Sequence, residues 1–190
     1  MGEEERDDAS ALRMGERMKY YDEILRGVQL LASHPDTLFL GQSVRYKGHA
    51  ITGTLKDVPD ERKIELPVFE ETQMGLSIGL ALQGFIPVTI YPRMNFLLMA
   101  LGQLVNHLDK IPSMSGGKWK PKVIVRTMVC SDKPLNPGKQ HLGDFTGVLG
   151  EMLEWVTIEC LWDVDLVYDG FKRALERDGA TVLVEYGGIL

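Results

Sequence analysis

At 190 residues the chain is long enough for one domain with a substantial core, and its 44% apolar and 25% charged content is that of a soluble globular protein. A net charge of -6, with no basic stripe, argues against a nucleic-acid partner, and no apolar run approaches the ~20 residues of a membrane span. The acidic, polar N-terminus is unlike a signal or transit peptide, and Cys130 and Cys160 lack metal-ligand spacing and read as small apolar residues of a reducing compartment, which implies a cytoplasmic protein.

Residues 1–13 are expected to be frayed or disordered, with a single α/β domain filling 14–190. Tyr21, Ile24, Leu25, Val28 and Leu31 recur at helical spacing and predict a helix from Met18 to Ala32, stopped by His34-Pro35-Asp36. Thr37 to Leu40 reads as a short strand and Gly41 to Val58 as a loop. A strand from Ile64 to Val68 feeds a helix over 71–83, and a strand from Ile86 to Ile90 feeds a helix from about Asn95 to Leu108. Val123 to Met128 is a strand, followed by a glycine- and proline-bearing loop to Asp144. A helix from Thr146 to Glu154, a strand from Thr157 to Leu161, a helix from Val164 to Arg177 closed by Gly179, and a strand from Thr181 to Glu185 complete the order. Short apolar strands alternating with helices predict a three-layer α/β/α fold around a mostly parallel sheet with right-handed crossovers. Ligands of such sheets lie beyond the carboxyl ends of the strands. Glu70, the Pro92–Phe96 turn and the 129–145 loop all fall there and are expected to share one cleft.

The segment from Pro67 to Gly84 is the most informative. A carboxylate pair, Glu70 and Glu71, opens a helix of small and apolar residues. An acid in a first helical turn is favoured by the dipole alone, and Glu71 needs no further explanation. Around Glu70 the neighbours Leu66, Val68, Phe69 and Met74 are expected to form an apolar wrapping in which its protonation becomes adjustable. His34 and His49 read as surface or turn residues and His107 as an exposed helix position. Ser115-Gly116-Gly117-Lys118 lacks the spacing of a phosphate loop and reads as a flexible connection. Arg93 either binds an acidic group or sits in solvent, and no metal-ligand set emerges.

Four ordered blocks resemble the pyrimidine-binding domain of thiamine-diphosphate enzymes, above all the beta subunit of the 2-oxo-acid dehydrogenase decarboxylase component (pyruvate and branched-chain types). The first is Glu, four residues, Gly, two residues, hydrophobic, Gly, from Glu70 to Gly79. The second is Asn95-Phe96 followed by Gln103-Leu104-Val105-Asn106. The third is Ser115-Gly116-Gly117 before the strand Val123 to Arg126, and the fourth is the Gly-x-x-His loop at Gly138–His141 with the elements up to Glu185. The likeness runs from about Tyr20 to Tyr186. It implies the thiamine-diphosphate-binding fold, with Glu70 bonded to N1′ of the cofactor's aminopyrimidine. A proton shared there favours the imino form, whose exocyclic nitrogen can take the thiazolium proton, and the cofactor then acts as electron sink for a 2-oxo acid. The same resemblance makes Phe96, Leu66, Phe69 and Asn95 walls or neighbours of the pyrimidine, and His141 a proton donor to the substrate. Leu142-Gly143-Asp144 follows His141 where the family has Ser-Gln-Ser.

No Gly-Asp-Gly motif for diphosphate and Mg²⁺ occurs, so the resemblance implies a second, alpha-type chain that supplies the Mg²⁺ ligands, as in an α2β2 heterotetramer. The sequence stops at Gly187-Gly188-Ile189-Leu190, where the family's C-terminal domain would begin, which leaves a naturally short protein and a fragment of a longer one as the two readings. The function so implied is that of a pyrimidine-binding subunit of a split enzyme, decarboxylating a 2-oxo acid or transferring its acyl unit. Ketol transfer of the transketolase type and a non-catalytic interaction protein stand as alternatives.

Overall fold

Six strands, all parallel, form one sheet in the order β2-β1-β3-β4-β6-β5 in a computed structural model that describes residues 3–46, 50–132 and 136–187. They are β1 (Thr37–Gly41), β2 (Lys63–Glu65), β3 (Ile86–Tyr91), β4 (Ile124–Val129), β5 (Thr157–Leu161) and β6 (Thr181–Tyr186). β3 is buried at every position and β4 at all but its last, as the near-continuous apolar runs require of a sheet covered on both sides. Alternation divides the core into two layers. Phe39, Val88, Ile90, Ile124, Met128 and Leu183 face α1 (Glu3–Ser33), α2 (Ala50–Thr54) and the late helix Val164–Glu176. Tyr91, Val125, Val182 and Val184 face α3 (Glu70–Leu82), α4 (Met94–Leu97), α5 (Leu101–Gln103), α6 (Ile111–Met114) and α7 (Thr146–Met152). The late helix, α8, lies so close to α1 that a methyl group at Gly27 would stand 2.4 Å from Phe171 Cγ. Among the described residues no helix is long and apolar enough to cross a membrane.

The helical backbone of α1 is described from Glu3, in a segment rich in the good helix formers Glu, Arg, Ala, Leu and Met and without proline. Three local expectations need correction. The segment read as a loop from Gly41 to Val58 contains α2, and Glu65 accepts from the Ser43 and Arg45 N–H groups at 2.6 and 2.9 Å, pinning the turn after β1. The helix expected from Asn95 to Leu108 is a relay instead. α4 passes through a 3₁₀ turn at Leu98–Ala100 into α5, then a π-helical turn at Leu104–Leu108 and α6. Ser115, Gly116 and Gly117 donate backbone N–H groups to the last carbonyls of α6, so the run read as a flexible connection is a helix cap.

Two buried charges hold this frame. Arg126 and Glu185, on neighbouring strands β4 and β6, are both fully buried, with Nε 2.7 Å from Oε1. The guanidinium also donates to Thr54 Oγ1 at 3.2 and 3.3 Å and lies 5.4 Å from the Phe171 ring centre. Nearby, the Tyr20 hydroxyl donates to the Leu161 carbonyl at 2.5 Å and accepts from Tyr186 N–H at 3.0 Å. Burial, followed by the charge of Glu185, pushes the Tyr20 phenol well above its ordinary pKa. Removing one member of a buried ion pair strands the other charge. Arg126→Met is therefore expected to destabilise the fold by about 3–5 kcal/mol in denaturant unfolding, and the paired Arg126→Met/Glu185→Leu variant to recover most of that loss.

Asp109, fully buried after the π-helical turn, accepts through Oδ1 from the N–H groups of Glu154, Trp155 and Val156 at 2.9, 2.8 and 3.0 Å. Lys110 Nζ lies 2.8 Å from its other oxygen. Burial alone would raise its pKa, but Lys110 and the three N–H donors outweigh it and hold the carboxyl below the usual range. A depressed carboxyl adds stability that is present above the unfolded value of about 3.9 and lost as pH falls through the folded one. Asp109→Asn should cost about 1–3 kcal/mol at neutral pH. The gap from the parent should shrink in urea titrations carried below about pH 4.

Candidate active site

Pro67 cannot donate to a ladder, and β2 is over by Glu65, shorter than the strand expected to reach Val68. The chain then turns through Phe69, at φ -153° and ψ 68°, into α3, whose first residue is Glu70. Tyr91, the last residue of β3, donates its hydroxyl to the Glu70 carbonyl at 3.0 Å and so fixes the backbone from which the carboxylate extends. The Tyr91 phenol is raised well above its ordinary pKa by burial, with the Glu70 charge adding to the effect. One turn on, the buried Gln73 donates Nε2 to Thr89 Oγ1 at 2.9 Å and to the Ile90 carbonyl at 3.0 Å, clamping α3 to β3. Gly41 ends β1 beside this clamp at φ +149°, and a Cβ there would stand 2.6 Å from the Ile90 carbonyl oxygen. Only glycine lets β1 end between its two neighbours in this way.

Glu70 and Phe96 line one cleft at the carboxyl edge of the sheet, together with Phe69, Val68, Tyr91 and Pro92. Gln42 and Gln73 supply its other polar groups, and Glu70 is its only charged side chain among the described residues. Two expected wall residues lie elsewhere. Leu66 is not part of the lining; its N–H donates to Gly41 O at 3.0 Å and carries the β2–β1 ladder one residue further. Met74 is fully buried in the core with Ile78, Tyr91 and Met94, because its place on α3 faces the sheet. Val68 is 65% exposed, so the apolar wrapping of Glu70 is made by Phe69, Tyr91, Pro92 and Phe96 rather than by the expected set. Tyr91 and Gln73 escape a reading by motif. Their signal was an aromatic at the end of a buried strand and an amide on the inner face of a helix, neither of which specifies a ligand.

The second part of the site is the 136–145 segment, which is fastened to α4. Asn95 Oδ1 accepts from Gly143 N–H at 3.2 Å, and the Met94 sulfur accepts from Phe145 N–H at 3.3 Å. Gly138, at φ +90°, starts a 3₁₀ turn that carries His141. The His141 ring meets Phe96 edge-on, with ring centres 5.5 Å apart and planes at 72°. His141 Nδ1 is buried and has no hydrogen-bond partner among the described residues. Phe96 thus joins the Glu70 cleft on one side to His141 on the other. Asn95 acts as a strap on the loop and does not line the Glu70 cleft. Arg93 lies on a further side of Phe96, its guanidinium carbon 5.8 Å from the ring centre. The half-buried Cys130 thiol is raised by burial, against the opposing pull of the Arg93 charge and hydrogen bond. His107 is exposed and His34 is half-exposed beside Asp36, both apart from the cleft, while His49 falls outside the described residues. No group of three His, Cys, Asp or Glu side chains able to hold a metal ion occurs among the described residues.

No family model matches the chain. It is 29% identical over 120 residues to the mitochondrial pyruvate dehydrogenase E1 component subunit beta of Saccharomyces cerevisiae, a match covering 62% of this chain and 32% of that protein. Identity to the corresponding subunit of Chaetomium thermophilum is 37% over 90 residues, covering 46% and 24%, and to that of Chaetosphaeridium globosum 30% over 95 residues, covering 48% and 29%. The matched stretch therefore spans about a quarter to a third of the length of these curated relatives. A solved split gene transketolase, described as an inactive beta4 tetramer, superimposes at a TM-score of 0.66 with 17% identity, covering 90% of this chain and 51% of that one. The sequence resemblance to dehydrogenase beta subunits and the transketolase-like α/β fold both hold.

The strap makes its own prediction. Asn95→Ala removes the acceptor of Gly143 N–H, at a cost of about 1 kcal/mol. Exchange of that amide with deuterium should accelerate, while protection in β3 and β4 stays at the parent level.

Proposed function

We propose that this chain is the pyrimidine-binding subunit of a two-chain thiamine-diphosphate enzyme acting on a 2-oxo acid. The observation that carries the reading is that one carboxylate, Glu70, and one aromatic face, Phe96, come from different elements into a single cleft. A flat heterocycle with a nitrogen able to share a proton fits a cleft of that composition. Its phosphates do not, because among the described residues no cation lines the cleft. The diphosphate and Mg²⁺, which wants hard oxygen ligands, then fall to an alpha-type partner, with an α2β2 assembly as the expected stoichiometry. The compartment in this reading is the cytoplasm.

Thiamine diphosphate supplies, when bound, an electron sink next to the substrate carbonyl. Glu70 holds the proton opposite the aminopyrimidine nitrogen. Phe69 and Phe96 exclude water from that contact, which strengthens it. His141, with Nδ1 unengaged, has a ring nitrogen available to hold or deliver a proton at the substrate oxygen. Asn95 keeps the histidine loop against α4.

Ketol transfer between sugars is the second reading, supported by the fold shared with a split gene transketolase. Offering 2-oxo acids and sugar phosphates to the same reconstituted mixture separates the two. In that mixture of this chain, its diphosphate-binding partner, thiamine diphosphate and Mg²⁺, Glu70→Gln should cut turnover by roughly 10²–10⁴-fold while the circular dichroism spectrum stays that of the parent. Full activity in that variant would overturn the assignment.

A further inference from the structure

Arg93 is half-buried, sits at the start of α4 and has no ion-pair partner among the described residues. What holds it is weak: the Phe96 face at 5.8 Å and the Cys130 thiol. Its guanidinium carries five donors and no acceptor, and neither neighbour uses the planar fork that matches a carboxylate or phosphate. His141 lies 5.5 Å from the same Phe96 ring and has an unengaged buried nitrogen. A cation with free donors and an imidazole with a free nitrogen therefore flank the aromatic side chain that also lines the Glu70 cleft. Neither group touches Glu70's part of that cleft, so the position suits the substrate's far end.

The chemistry of decarboxylation decides which anion Arg93 meets. A cation fixed on the departing carboxylate would stabilise the ground state from which carbon dioxide must leave, and that raises the barrier. An arginine helps when it grips a charge that stays on the product, since that interaction persists through the transition state. We infer that Arg93 recognises a second anionic group on the substrate, one retained in the product, so that the substrate is a dianion. A dicarboxylic 2-oxo acid and a phosphorylated ketose both supply such a group, and they share the planar or tetrahedral oxyanion that a guanidinium binds through two hydrogen bonds. This inference rests on the function proposed above.

The test has a binding arm and a turnover arm. In the first, the purified chain is titrated by calorimetry with 2-oxopentanedioate, with 2-oxopentanoate, which has the same skeleton without the second carboxylate, and with inorganic phosphate. The dianion should bind at least about tenfold tighter than the monoanion, the Arg93→Gln variant should erase that preference, and Arg93→Lys should keep part of it. Phosphate outcompeting the dicarboxylate would identify the retained group as a phosphate. A parent chain that does not distinguish the two oxo acids, or an Arg93→Gln variant that binds as the parent does, overturns the inference. In the second arm, with partner, thiamine diphosphate and Mg²⁺ present, Arg93→Gln should lower kcat/KM through KM, at least about tenfold more for the dianionic substrate than for the monoanionic one. Arg93-dependent anion binding without turnover of any substrate would defeat the proposed function and leave the anion site standing. Glu70-dependent turnover with equal losses for both substrates in Arg93→Gln would do the reverse.

Discussion

A parallel sheet sends the carboxyl end of every strand to one edge, and the chemistry of this chain follows from that constraint. β2 leads to Glu70, β3 to Arg93 and Phe96, and β4 to Cys130, which are far apart in sequence. The strand order β2-β1-β3-β4 interposes β1 between the first two of these exits. β1 must therefore end without a side chain that blocks the crossing of α3 over β3. Gly41, with the Ile90 carbonyl where its Cβ would be, meets that condition, and Gln73 fills the space from the other side. The carboxylate is placed by a glycine and an amide whose hydrogen bonds hold α3 against β3.

The opposite layer shows why the sheet can carry this edge without shifting. Arg126 and Glu185 occupy positions on β4 and β6 that alternation assigns to the α1 and α8 face, where their neighbours are otherwise apolar. An isolated charge there would be costly. The pair answers itself, with Thr54 and Phe171 taking up the remaining guanidinium surface. Tyr20 then ties α1 to the ends of β5 and β6 through two hydrogen bonds. The binding edge and this polar knot sit on the same strands, so β4 and β6 are held in register from behind.

The strand–helix alternation was legible because it depends on local apolar periodicity. β1, β3, β4, β5, β6, α3 and α8 fall within a residue or two of the spans read from the sequence. The misreadings have particular causes. α2 is a single helical turn whose stability comes from burial of Ile51 and Thr54 rather than from propensity. The relay after Phe96 shifts hydrogen bonds between 3₁₀, α and π patterns, which no window of apolar spacing reports. Within the candidate site, Glu70 stood out by its place at the start of a helix, while Phe96 and His141 were singled out by the family resemblance; the structure sets Phe96 in the Glu70 cleft and His141 against the Phe96 ring. Tyr91, Gln73 and the role of Asn95 as a strap depend on contacts between distant segments, which no local pattern reports.

The charge composition of the cleft separates what this chain can do alone from what it needs. One carboxylate between aromatic and proline walls can orient a neutral or cationic heterocycle and share a proton with it. It repels the polyphosphate end of any such cofactor, and among the described residues no guanidinium, ammonium or metal set within the cleft offsets that repulsion. In the reading proposed above, a second chain supplies the positive charge, and Val68, 65% exposed, stands beside the cleft that it would complete. Arg93 does not relieve the deficit, since it lies outside the lining, with its guanidinium carbon 5.8 Å from the Phe96 ring centre. In the inference drawn above its charge serves the far end of the substrate, so that the two sides of Phe96 answer to different parts of the chemistry.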